Sequence, residues 1–261
     1  MRLLASVVTL ALALPTVAAA QHERLSDKDL KGLMDTIDDH RHSFEGALDS
    51  QLKHSVMRNA TSEVDVSKYL DDFQKNINTM KDRFKPDYSA STEAQVVLHQ
   101  ASDIDAFMKQ QGSGMKGASE WNTLAADFTT LAASYSAPFP LPQGAPVRRV
   151  GDKELAGAAD TLTKQADDLK KAIDKGTKEM SDADKAEAKN VMKEAEALKE
   201  DAKKFKDRIN DNKPASVEAK GLVDRINRID SFVSGHSMGL AASSLGGIKS
   251  TMSAITQSFG L

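Results

Sequence analysis

Cysteine is absent from all 261 residues. Disulfides, thiolate zinc sites, iron–sulfur clusters, cysteine nucleophiles and covalently attached c-type haem are therefore excluded. Aromatic residues make up only 5% of the chain, with a single Trp and three Tyr. Of the seven prolines, four crowd into Ala137–Pro146. A chain so poor in aromatics, and so rich in Ala, Lys, Asp and Leu, favours helices over sheets. Neither sign of charge is in excess, with 35 Lys and Arg against 38 Asp and Glu. Nucleic-acid binding needs a concentrated positive surface to displace phosphate counterions, and neither half of the chain supplies one. The lysines of 164–206 alternate with acids, as on a solvated helix face.

Long apolar runs are also missing, apart from Leu3 to Leu14. That run follows Met1-Arg2 and precedes Pro15 and the small residues Val17-Ala18-Ala19-Ala20. A basic start, a short apolar core and an A-x-A site read as a signal peptide over 1–20. About a dozen apolar residues are too few to span a bilayer, and with no cysteine to lipidate the mature protein is not a lipoprotein. The expectation is an exported protein, periplasmic or secreted. Losing Arg2 with the leader moves the net charge from −3 to −4.

What is present is a repeat. At an offset of 125, Lys81-Asp82-Arg83 falls on Lys206-Asp207-Arg208, Glu93-Ala94 on Glu218-Ala219, and Ile104-Asp105 on Ile229-Asp230. The stripe Val66, Leu70, Phe73, Ile77, Met80, Phe84 recurs as Val191, Ala195, Leu198, Ala202, Phe205, Ile209. Steps of three and four make this the buried face of an amphipathic helix. Near the end of each copy the offset slips to 124, where Trp121, Leu124, Phe128, Leu131 and Tyr135 meet Leu245, Ile248, Met252, Ile255 and Phe259. The pattern predicts helices at 27–57, 63–85, 91–110 and 117–136, then at 152–178, 182–211, 216–233 and 238–259. Ser181 with Asp184 three residues on resembles an N-cap, and Pro86 and Pro214 end the second helix of each copy. The expected fold is all-α, with two tandem four-helix-bundle repeats over 21–136 and 152–261 and a Pro-rich linker at 137–151. A single elongated bundle made of merged helices is the alternative topology. The first repeat carries the larger core residues, as in Leu70 against Ala195 and Ile77 against Ala202, and is expected to be the more stable.

Phe44 with Leu48-Asp49, Tyr69, Asp72-Phe73, Met80 to Phe84, Val97-Leu98, Ala101, Ile104 to Met108, Trp121, Leu124, Asp127, Leu131-Ala132 and Tyr135 form a spaced pattern. In these residues the chain resembles an uncharacterised family of exported bacterial all-helical proteins. The resemblance covers most of the first copy. It implies export and a helical fold, and carries over no activity, cofactor or site.

Candidate polar sites are few. Arg83 with Asp105, and Arg208 with Asp230, recur in both copies beside apolar seam positions, and each is expected to form an interhelical ion pair that sets helix register. Asp38 and His42 lie one turn apart and are weak candidates for metal ligation. Met57, Met80, Met108 and Met115, with His54 and His99, could in principle hold a haem in a bundle, although Met at seam spacing is usually core. No catalytic motif is found: there are no elbow glycines about a serine and no HExxH. Asn59-Ala60-Thr61 is a glycosylation sequon, relevant only in a eukaryotic source.

The resulting expectation is a non-enzymatic exported binding or scaffold protein without a cofactor, engaging a protein or cell-envelope component and not nucleic acid. The alternative is an extracytoplasmic carrier of metal, haem or an apolar ligand in the first bundle. The last helix, rich in Gly, Ala and Ser, is a candidate for peripheral membrane contact.

Overall fold

The computed structural model describes residues 24–58, 63–112, 114–236 and 238–261. The leader and the sequon lie outside the described residues. Among the described residues the regular structure is helical apart from one small hairpin. In order it forms α1 (Asp27–Ala47), the single turn α2 (Ser50–Lys53), β1 (Val56–Arg58), β2 (Glu63–Asp65), α3 (Val66–Arg83), α4 (Ser91–Gln111) and α5 (Ala118–Ser134). Then follow α6 (Asp152–Gly176), α7 (Asp182–Asn210), α8 (Ser216–Gly235) and α9 (Gly239–Phe259). Among the described residues no helix is long and apolar enough to cross a membrane.

Several helices start where a side chain satisfies a free N–H group. Ser26 accepts from the Asp29 N–H at 3.1 Å to begin α1. Ser181 accepts from the Asp184 N–H at 3.2 Å and donates to its carboxylate at 2.7 Å to begin α7, as the sequence suggests. Asp65 caps α3 through the Lys68 N–H.

Two hydrophobic cores result. Leu30, Ile37, Phe44, Phe73, Ile77, Val97, Leu124 and Phe128 belong to the first, and Leu155, Leu162, Leu169, Leu198, Phe205, Leu222, Ile229 and Ile248 to the second. Around the first, α1, α3, α4 and α5 each touch two neighbours in a closed ring, and α6, α7, α8 and α9 do the same around the second. The cores differ in chemistry. In the first, Phe44, Trp121, Phe128 and Phe73 form a ladder of tilted rings with centroids 5.3, 6.5 and 5.6 Å apart, extended by Phe139 at 5.9 Å. Leu169, Leu245, Met252 and Leu198 stand at the corresponding places of the second. There Ala159, Ala166, Ala195 and Ala202, all buried, let α6 and α7 run together along their length, whereas α1 and α3 meet only sparsely.

The single helix expected at 27–57 is instead broken. Leu48 turns extended at the end of α1, and Asp49 caps the short α2 by accepting from the Gln51 N–H at 2.8 Å. The chain then reverses through the β1–β2 hairpin, pairing Met57 with Val64. The physical reason is burial: Leu48, Met57 and Val66 fold inward beside Phe44, Tyr69, Leu70 and Phe107, which leave that end of the first core open. In the second half α6 continues about one turn further and needs no such plug.

The Pro-rich segment, expected to be an extended linker, bends at 139–140 and turns at 143–144, and it packs on the first core rather than standing free. Ala137, Leu141 and Val147 are buried in the first core, and the Leu141 N–H donates to Ser102 Oγ at 2.7 Å. The apolar face of α9, made of Ala241, Leu245, Ile248, Met252 and Ile255, is turned into the second core.

Candidate functional site: a reciprocal arginine–aspartate junction

Ahead of α1 the chain reads Arg24-Leu25-Ser26-Asp27, and 125 residues later, ahead of α6, it reads Arg149-Val150-Gly151-Asp152. Each short arm reaches across to the other half. Arg24 donates to the Asp152 carboxylate at 2.6 Å and to the Val150 carbonyl at 2.7 Å. Arg149 donates to the Asp27 carboxylate at 2.7 Å and to the Leu25 carbonyl at 2.8 Å. The backbone completes the exchange: the Asp27 N–H donates to Asp152 at 2.6 Å, and the Asp152 N–H donates to Asp27 at 2.9 Å. Each of these six bonds has a counterpart shifted by 125.

Each arginine also packs on the end of the opposite half. The Arg24 guanidinium lies 6.0 Å from the Phe259 ring at the end of α9. Arg149 donates to the Ser134 carbonyl at the end of α5, next to Tyr135, whose hydroxyl donates to the Ser89 carbonyl. The Arg149 main chain is held by Ser89 and Ser91 at the start of α4. The Arg149 side chain is 1% exposed and that of Arg24 6%. Burial and the neighbouring Arg149 push the Arg24 pKa down, and Asp152 and Asp27 pull it back up. The two arginines and two aspartates sum to zero charge, which is how four ionised groups can be shielded from solvent together. Burial also raises the Tyr135 phenol pKa.

The expected ion pairs have other partners. Arg83 pairs with Glu93 at 2.5 Å and packs over the Tyr88 ring at 5.0 Å, not with Asp105. Arg208 pairs with Glu218 at 3.4 Å and donates to the Pro214 carbonyl, not to Asp230. Arg83 and Arg208 lie in the last turn of their helices, and Glu93 and Glu218 in the first turn of the next, so a tight connection brings them together. Asp105 and Asp230 sit twelve residues further along, about 18 Å up the helix. Asp105, almost fully buried, instead accepts from Trp121 Nε1 at 3.2 Å and from Lys109 at 2.6 Å. Asp230 takes Lys249 at 2.8 Å. The recurring pair that links the first two long helices of each half is Lys81–Asp35 at 2.9 Å and Lys206–Asp160 at 2.8 Å.

Asp38 and His42 do not converge on a shared ligand position. The Asp38 carboxylate accepts from Arg41 and Lys81, two cations that would repel a metal ion, and His42 is exposed. No metal-holding group of three His, Asp or Glu side chains occurs among the described residues. His40, one turn before Phe44, contacts Asp127 of α5 through Nδ1 at 2.6 Å, a pair that spacing along one helix does not reveal. Met57, Met80 and Met108 are buried in the first core, while His54 is exposed on its outside.

The junction was readable in principle, because R-[LV]-x-D precedes both helices at the repeat spacing. What sequence could not supply was which arm each arginine would cross to. No family model, curated protein or solved structure matches the chain.

Proposed function

We propose that the protein is a non-catalytic exported scaffold built from two four-helix-bundle repeats, which holds two sets of helical faces in a fixed mutual orientation for a protein or cell-envelope partner. The observation that supports it best is the junction. Four largely shielded ionised side chains, Arg149 buried and Arg24, Asp27 and Asp152 partly so, are spent on joining the halves rather than on a cleft. Elsewhere, buried charge does the same work of positioning: Arg41 is engaged by Asp38 and Glu45, Glu93 by Arg83, and Asp105 by Trp121. The ion pairs that recur at 125 residues support descent of both halves from one unit, within the group of exported helical proteins that the first half resembles.

Native mass spectrometry of the mature protein purified from its own compartment tests this reading. The bare polypeptide mass is expected. Extra mass from haem, metal or lipid would overturn it in favour of a carrier.

A further inference from the structure

We infer that the junction is a self-complementary protein–protein interface in its own right, so that the chain is a covalently fused pair whose halves bind one another without the 137–147 connection. The inference rests on the two-repeat reading above and not on the scaffold role.

The argument is one of symmetry. An interface between two copies of one surface is isologous: if residue i of one copy touches residue j of the other, then j also touches i. The junction has that property across a 125-residue shift. Arg24 meets Asp152 and the carbonyl of Val150, and Arg149 meets Asp27 and the carbonyl of Leu25. Asp27 and Asp152 each take the other's N–H. The arms are exchanged as well. Arg24 to Ser26 precede the first bundle yet lie along Asn212 to Ala215 and Phe259 of the second. Arg149 precedes the second bundle yet is seated on Ser89, Ser91 and Ser134 of the first. A covalent linker alone asks for contacts in one direction only, near the point where the chain crosses. Arg24 and Phe259 are far from that crossing in sequence, and their contact is what a pair of partners would make.

The test uses the full chain. A protease recognition sequence is inserted between Gln143 and Gly144, which sit in an exposed turn. Cleavage then leaves the Arg149 arm attached to the second half while it is seated on the first. Size-exclusion chromatography and circular dichroism follow. The cut protein should elute as one species of undiminished helicity. The same cut in Arg149→Met should release the halves, with a dissociation constant weaker by on the order of 100-fold, because the largely shielded Asp27 loses its closest cation and keeps only the Asp152 N–H and Arg24 at 3.8 Å. Separation of the unsubstituted halves with helicity retained would overturn the interface and leave the two-repeat reading standing. Loss of helicity on cutting would overturn both.

Discussion

Asp27 and Asp152 each accept the backbone N–H of the other, at 2.9 and 2.6 Å respectively, so α1 and α6 are capped at their N-termini by one another's carboxylates. The negative charge sits where the helix dipole favours it, and the arginine that neutralises each carboxylate comes from the opposite arm. Orientation of the halves and capping of their first helices are thus a single set of bonds. Disturbing one member must disturb both bundles.

Arg149→Met should therefore destabilise the protein by about 2–3 kcal/mol, the cost of removing the closest cation from a largely shielded carboxylate that keeps Arg24 at 3.8 Å. Arg24→Met should cost somewhat less, its side chain being 6% rather than 1% exposed. Urea unfolding read by circular dichroism measures both. Losses below about 0.5 kcal/mol for Arg149→Met would mean that the charges are held by solvent instead.

The revised ion pairs make a sharper test. In double-mutant cycles, Arg83→Met should couple to Glu93→Gln by about 0.5–1 kcal/mol, a modest value because the Arg83 side chain is 58% exposed. Arg83→Met and Asp105→Asn should be additive. Coupling between Arg83 and Asp105 would restore the register pair expected from sequence.

That expectation shows how far the sequence could be read. The 125-residue offset and the three-four spacing of Val66 through Phe84 correctly locate the long helices, since a stripe needs only burial on one face to be visible. Partner choice is different. Arg83 has acids at 93 and at 105 that are equally available on paper, and only the tight α3–α4 connection decides between them. The hairpin after α1 was hidden for a related reason: Leu48, Val56 and Met57 have apolar spacing compatible with a helix, and it is the open end of the first core that pulls Leu48 and Met57 inward while Val56 stays exposed. The R-[LV]-x-D arms were hidden by brevity, four residues before the periodic pattern begins.

Stability should depend on pH through His236. Its Nδ1 contacts the Phe232 carbonyl at 2.9 Å, and Nε2 lies 3.6 Å from Asp184. The carbonyl first, and then Asp184, raise its pKa, while the Ser181 hydroxyl chiefly lowers that of Asp184. A raised histidine pKa gives stabilisation that is complete below the unfolded value of about 6.5 and is lost as pH rises through the folded value. The aspartate contributes above its unfolded pKa, about 3.9, and fails as pH falls through the lowered one. Thermal melts from pH 6 to 8 should show wild type losing more stability than His236→Gln. Parallel curves would exclude this pair as the source.

Two glycines should respond oppositely to alanine. Gly157 lies inside α6 with open space where a Cβ would go, so Gly157→Ala should stabilise by about 0.5–1 kcal/mol. Gly117 has φ +89° and faces the Leu48 backbone at 3.4 Å. Gly117→Ala should destabilise by about 1 kcal/mol or more, because a side chain there is strained whatever room it finds. Chemical denaturation of both variants decides the signs.

Trp121 is the chain's one tryptophan and lies in the first core, so its fluorescence reports that half, whereas circular dichroism sums both. The aromatic ladder about it, with rings worth about 0.5–1.5 kcal/mol per pair, gives the first core a source of stability that Leu169, Leu245 and Met252 do not match in the second. With the junction intact, the two probes should report one urea transition, because neither half can unfold without stripping the other of its caps. In Arg149→Met that coupling is weakened, and the transitions should part, with fluorescence changing at higher urea than circular dichroism. Coincident transitions in the variant would mean that the halves remain coupled through contacts other than the arms. The reverse order would show that the alanine seam of α6 and α7 holds the second half more firmly than the aromatic ladder holds the first.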